Sequence, residues 1–202
     1  VAANYGWHSA FHWFGITGMV YAIVLILFLQ EKRNVPVTLT SSSNKTSLFK
    51  GLGLLFSNMA FWVILFYFAA PSLPGWATKN WFPTLFAGSL DMPMKEAGPL
   101  STITLAVSSF IGAVLIGGPL SDRWVQKNLK GRIYTSAIGL GLTIPSLILL
   151  GYGNSLITVV GAGVLFGIGF GMFDANNMPI LCQFVPQKLR ATAYGFMNMV
   201  GV

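Results

Sequence analysis

Five long apolar stretches, separated by short polar ones, decide what this chain can fold into. They run over roughly 10–29, 54–88, 97–118, 133–152 and 156–184. A helix of about 20 apolar residues, rising 1.5 Å at each, crosses the ~30 Å hydrocarbon core of a bilayer. Inside hydrocarbon every backbone N–H and C=O must find a partner within the protein, so a spanning segment is a helix or a strand of a closed barrel. Runs this long, without polar alternation, are helical. Composition agrees: 54% of the 202 residues are hydrophobic and 8% are charged, whereas about a quarter of a soluble domain is charged. The expected fold class is an all-α polytopic membrane protein with about five full transmembrane helices. Residues 191–202 add the start of a sixth.

The net charge of +7 raises nucleic acid as a partner. The basic residues sit in short loops between apolar runs and form no continuous patch, so that class is excluded. Their placement instead sets the topology. The loop after the first span holds Lys32, Arg33, Lys45 and Lys50; the loop after the third holds Arg123, Lys127, Lys130 and Arg132; the loop after the fifth holds Lys188 and Arg190. Alternating crossings put all of these on one side, which the positive-inside rule assigns to the cytoplasm, with the plasma (inner) membrane as the expected location. Lys79 and Lys95 are the remaining two. One cysteine, Cys182, permits no disulfide within the chain and reads as a small apolar filler. The chain starts at Val1 and ends inside an apolar pattern, which reads as a piece of a longer protein.

Several breaks are expected along the way. Pro71, Pro74 and Gly75 lie inside the second span, where a helix should kink or break. Residues 91–98 should form a loop, and Gly153-Asn-Ser155 a tight turn. Gly163, Gly167 and Gly171 are each four apart and share one helix face, a close-packing surface. Gly117, Gly118 and Pro119 should end the third span, leaving Asp122 and Arg123 in a polar loop.

The stretch Gly118-Pro-Leu-Ser-Asp-Arg123, between two spans and followed by a basic segment, resembles the signature loop of the major facilitator superfamily. Here Gly131-Arg132 stands late, after the insertion 124–130. Tyr5-Gly-Trp-His-Ser-Ala-Phe11 is similar to the lead-in to the family's sixth helix, with His8 where arginine is frequent. Trp81-Phe-Pro-Thr84 with Ala97-Gly98 is similar to the end of its seventh helix and start of its eighth. Arg190-Ala-Thr-Ala-Tyr-Gly195 with Asn198 is similar to the entry to its eleventh. The resemblance implies a partial major facilitator fold. Residues 1–33 would be the lead-in and sixth helix, 34–53 a cytoplasmic linker between halves, and 54–202 a partial C-terminal bundle. The missing N-terminal bundle of the same protein would be its partner. Among subfamilies the nearest is the organic-anion and sugar-acid symporters. This implies a transporter rather than an enzyme, working by alternating access on a small-molecule solute. A coupling ion (proton or sodium) and the lipid bilayer are implied as partners, and no cofactor or metal.

The candidate site residues each carry two readings. Asp174 is the one acidic residue deep in an apolar span; a charge there is costly and characteristically functional, so it is the ion-coupling candidate. The alternative is a structural pairing with a basic residue elsewhere in the protein. Asn176 and Asn177 would bond a solute or glue helices together. Lys79, flanked by Trp76, Asn80 and Trp81, suits a carboxylate or phosphate, with the aromatic faces covering apolar or sugar surfaces. Otherwise it snorkels to the outer interface. Tyr67 faces either a central cavity or its neighbours. Gly118, Asp122 and Arg123 form the gating candidate. His8 and His12 lie near a membrane face and read as interfacial. No metalloprotease helix motif, Gly-x-Ser-x-Gly or Walker loop is present. The leading function is secondary transport of a small organic anion or sugar acid. The alternatives are transport of a neutral sugar or drug and, in another class, a non-transporting sensor or scaffold.

Overall fold

A computed structural model describes residues 6–28 and 48–201. The chain divides into two units, 1–45 and 46–202. The first contributes helix α1, Trp7–Phe28, apolar around its circumference apart from a polar first turn. Along it His12 Nδ1 lies 2.8 Å from the His8 carbonyl and Thr17 donates back to Trp13. Residues 29–47, with Lys32, Arg33, Lys45 and most of the expected linker, lie outside the described residues.

The regular elements of the second unit, among its described residues, are all helices. It opens with a short helix, α2 (Leu48–Phe56), over residues expected to be linker. α2 docks by Leu55, which is buried, and by Gly51, whose added Cβ would stand 2.9 Å from Leu189. After a turn at Ser57, Asn58 caps the next helix, accepting from the Ala60 N–H at 3.0 Å. That helix, α3, runs Met59–Leu90 without interruption for 32 residues. The expected break at Pro71, Pro74 and Gly75 does not occur. Each proline deprives one carbonyl of its donor, but unwinding the helix would strand several groups in surroundings with no water to bond them. Gly75 serves packing instead: a Cβ there would run into the Phe170 ring. α3 ends at Asp91, in the left-handed region (φ 48) with its N–H on the Ala87 carbonyl.

The loop expected over 91–98 is confined to Asp91–Pro93, because α4 begins at Met94. α4 (Met94–Phe110) passes through a π-helical segment, Ile111–Gly117, directly into α5, Gly118–Lys127. The signature stretch is therefore helix, not loop, and the span continues to Lys127. The reason lies in the wider π register. Gly118 N–H bonds back five residues to Ala113, which shifts the ladder by one residue ahead of Pro119, whose ring occupies the first turn of α5. Gly117, expected to help end the helix, admits a neighbour instead: a Cβ there would stand 2.9 Å from Met172 Cα, and one on Gly112 would strike the Ile168 backbone.

A tight hairpin leads to α6, Gly131–Tyr152, and residues 153–155 turn the chain into α7, Leu156–Phe184. Ser155 and Thr158 form a reciprocal capping box. A short turn, Gln187–Leu189, precedes α8, Arg190–Gly201. Arg190 donates to the Cys182 and Val185 carbonyls and so closes the end of α7.

α7 is the axis of this unit. Its Gly163, Gly167 and Gly171 face α4, against Thr104, Ser108, Ser109 and Ala113, as their spacing requires. Its opposite side meets α6, where Gly139 and Gly169 abut and the Ser146 hydroxyl donates to the Ala162 carbonyl at 2.7 Å. Against α3 it presents aromatic rings: Phe166 on Phe82, Phe173 on Phe68 and Tyr67. The contact order makes α4 parallel and α3 and α6 antiparallel to α7. The Arg123–Arg132 hairpin and the Lys188–Arg190 turn consequently share one end of the unit.

Candidate functional site

Lys79 and Asp174 are 95 residues apart in sequence, and the packing of α3 on α7 brings them into one electrostatic neighbourhood. The Lys79 ammonium lies over the Phe170 ring, 3.8 Å from its centroid, a cation–π contact. Asp174 follows Phe170 by one helical turn, so it sits on the same side of α7. Asn177, a further turn on, donates to Asp174 Oδ1 at 3.3 Å, which orients the carboxylate. Both Lys79 and Asp174 are exposed on the described unit. They attract each other without direct contact, since the ion pair made among the described residues is Arg132–Asp122. The site is thus a cation and an anion held apart on one face, with an aromatic platform beneath the cation and an amide beside the anion.

Trp76 and Asn80 lie one turn apart on α3, next to Lys79, and both are exposed. The Asn80 amide donates to the Trp76 carbonyl at 2.8 Å, leaving its carbonyl oxygen for other partners. Lys79 also borders a cavity of about 250 Å³ between α3 and α4, which includes Thr102 and Ser109.

Tyr67 and Asn176 do not join this group. Asn176 is rotated by about 200° from Asp174 around α7, on the side that carries Gly169 and meets α6. It is fully buried, and its amide donates to the Met172 carbonyl at 2.9 Å. The Tyr67 ring packs on Phe173, and its hydroxyl lies beside Ser136. The Tyr67, Ser136 and Asn176 oxygens are buried without a hydrogen-bond partner within the protein. Tyr67 also lines an apolar cavity of about 310 Å³, together with Ile133 and Ile180 among others. Adjacent in sequence, Asn176 and Asn177 therefore serve different places.

Gly118 lies within the continuous helix. Asp122, one turn on, is exposed and accepts from Arg132 at 2.7 Å, joining α5 to α6 across the hairpin. Gly131 makes that approach possible, since a Cβ would stand 2.6 Å from the Trp124 and Val125 backbone. Arg123 is exposed and enters no ion pair among the described residues.

Phe170 was not among the residues singled out from sequence. Phe170 stands one turn from Asp174, a spacing available in the sequence, but nothing local shows which distant side chain rests on it.

A helical bundle with charges held on the faces of its spans, and a signature stretch at the end of one of them, is the arrangement of a known family, and residues 1–202 match the Major Facilitator Superfamily. The chain belongs to the major facilitator superfamily. It is similar to the probable galactarate/D-glucarate transporter GudP of Bacillus subtilis (strain 168), at 26% identity over 98% of this chain and 48% of that protein. It is also similar to vesicular glutamate transporter 3 of Danio rerio, at 23% identity over 97% of this chain and 36% of that protein. The chain thus spans about half the length, or less, of these major facilitator relatives. No solved structure matches it.

Proposed function

We propose that this chain forms part of a secondary active transporter for a small organic anion of the sugar-acid type. Lys79 binds the anionic group and Asp174 couples proton or sodium movement to transport. The observation that carries this reading is the Lys79 ammonium seated on the Phe170 ring, with its nearest carboxylate in range but not in contact. A lysine that snorkelled would point its ammonium away from the bundle. This one turns inward onto α7, where a solute carboxylate can add to the ring as its counter-charge. Trp76, Asn80 and Asn177 stand close enough along the two helices to complete the solute's surroundings. The similarity to a galactarate/D-glucarate transporter and to a glutamate transporter supports an anionic solute. The rest of the path belongs, in this reading, to a second helical bundle of the same protein, and the basic ends of the helices face the cytoplasm of a plasma-membrane protein.

The test is uptake by the full-length protein. Lys79→Ala should raise the apparent KM for the anion at least tenfold. Lys79→Arg should recover part of the loss, because a planar fork meets a carboxylate differently from a point charge. Normal transport by both variants would point instead to a neutral solute and remove Lys79 from the site.

A further inference from the structure

The cavity between α3 and α4 has walls of two kinds. On the α3 side, Lys79 and Pro83 line it. Pro83 lies four residues after Lys79 and has no N–H, so it cannot donate to the Lys79 carbonyl as an ordinary residue of α3 would. That wall therefore offers a cation beside the apolar ring of Pro83. On the α4 side, Ser101, Thr102 and Ser109 line the cavity around Leu105. Many hydroxyls in these helices spend their proton on a carbonyl of their own helix, as Ser72, Thr78, Ser108 and Thr135 do. Ser101 does the same, to Gly98 at 2.9 Å. Thr102 and Ser109 make no such bond among the described residues. They stand two turns apart on one side of α4 and border the cavity, free both to donate and to accept.

We propose that this cavity reads the hydroxyl groups of the solute, so that the site takes a polyhydroxylated anion rather than a plain carboxylate. Thr102 and Ser109 are its specificity-determining residues. The inference rests on the reading of Lys79 as the anion-binding group. A plain carboxylate brings acceptors only, so it can take the protons of the two hydroxyls but leaves their acceptor capacity unused. Only a ligand that carries hydroxyls of its own uses both capacities. Polar wall atoms left unpaired by a ligand lacking those donors would weigh against its entry. The volume of about 250 Å³ suits a solute of one sugar's size rather than a drug-sized molecule, which takes ~300–1,000 Å³.

The experiment compares two six-carbon diacids, galactarate and adipate, the second being the same chain without hydroxyls. The full-length protein is reconstituted in vesicles, and adipate is followed both as a substrate and as a competitor. Thr102→Val and Ser109→Ala should each lower kcat/KM for galactarate by about 3- to 10-fold, the loss of one hydrogen bond to the solute. Both should improve the handling of adipate, whose entry then leaves one fewer wall hydroxyl unpaired. Thr102→Ser, which keeps the hydroxyl, should restore galactarate uptake. Lys79→Ala should weaken both acids. Galactarate uptake unchanged in both hydroxyl variants, or both acids lowered alike, would overturn the inference while leaving the anion site standing. Equal handling of the two acids by the wild-type protein would also overturn it. Normal uptake of both acids by Lys79→Ala, or uptake of neither acid by the wild type, would sink the anion reading and this inference together.

Discussion

Replacing Gly112 by alanine adds one methyl group at the closest approach of two helices. Gly112 sits at the start of the π-helical segment, against α7. An added Cβ would run into the Ile168 carbonyl oxygen and stand 2.6 Å from Ile168 Cα and 2.8 Å from its carbonyl carbon. Carbon atoms rest at about 3.5–4.0 Å, so the helices must part by about 1 Å. The atoms in the way are backbone, and no rotamer change relieves them. A gap of that size forfeits about a quarter to a half of each dispersion contact along the seam. That seam includes the Gly167 and Gly171 contacts with Ser108 and Ser109. Overpacking of this kind costs about 1–3 kcal/mol, offset by about 0.5–1 kcal/mol of helix preference for alanine over glycine. The net expectation is about 1–2 kcal/mol of destabilisation. Gly161→Ala is the control on α7, because nothing lies within 4 Å of a Cβ there; it should be neutral or stabilising by up to about 1 kcal/mol. Thermal and denaturant unfolding of the full-length protein in detergent would measure both. If Gly112→Ala unfolds with Gly161→Ala or after it, the two helices do not meet by their backbones and the packing argument fails.

Asp174→Asn in the full-length protein should abolish gradient-driven accumulation and keep substrate exchange; accumulation at the wild-type level, still responsive to a pH gradient, would make Asp174 structural. Asp122→Asn breaks the pair with Arg132, whose side chains are 64% and 22% exposed, so stability should change by less than about 1 kcal/mol. Turnover should nevertheless fall more than substrate affinity if the α5–α6 connection holds one access state, and unchanged turnover would remove that role. Single cysteines at Lys127 and Lys188 should resist a membrane-impermeant thiol reagent in intact cells, and labelling of either from outside would reverse the orientation.

The existence of the spans, and the ends of the last two, were legible in sequence because hydropathy is a local property. The last span runs over 156–184 as its pattern required, and the turn at 153–155 separates it from α6. The glycine face at 163, 167 and 171 followed from helical periodicity alone. The errors came where a local rule met a non-local cost. Prolines and glycines read as breaks at 71–75 and 117–119, yet helix continues through both. Inside packed apolar surroundings an unwound backbone has nothing to bond, and Gly75 and Gly117 are needed by Phe170 and Met172 on α7. The candidate site divides in the same way. The cost of charge in an apolar run marked Lys79 and Asp174 singly. Only the antiparallel packing of α3 on α7 set the two on one face with Phe170 between them, and only the packing of α3 on α4 opened the cavity that Thr102 and Ser109 share with Lys79. Which faces of long apolar helices meet depends on the fit of side chains distant in sequence, and the hydropathy of α3 and α7, nearly uniform around each circumference, carries no record of it.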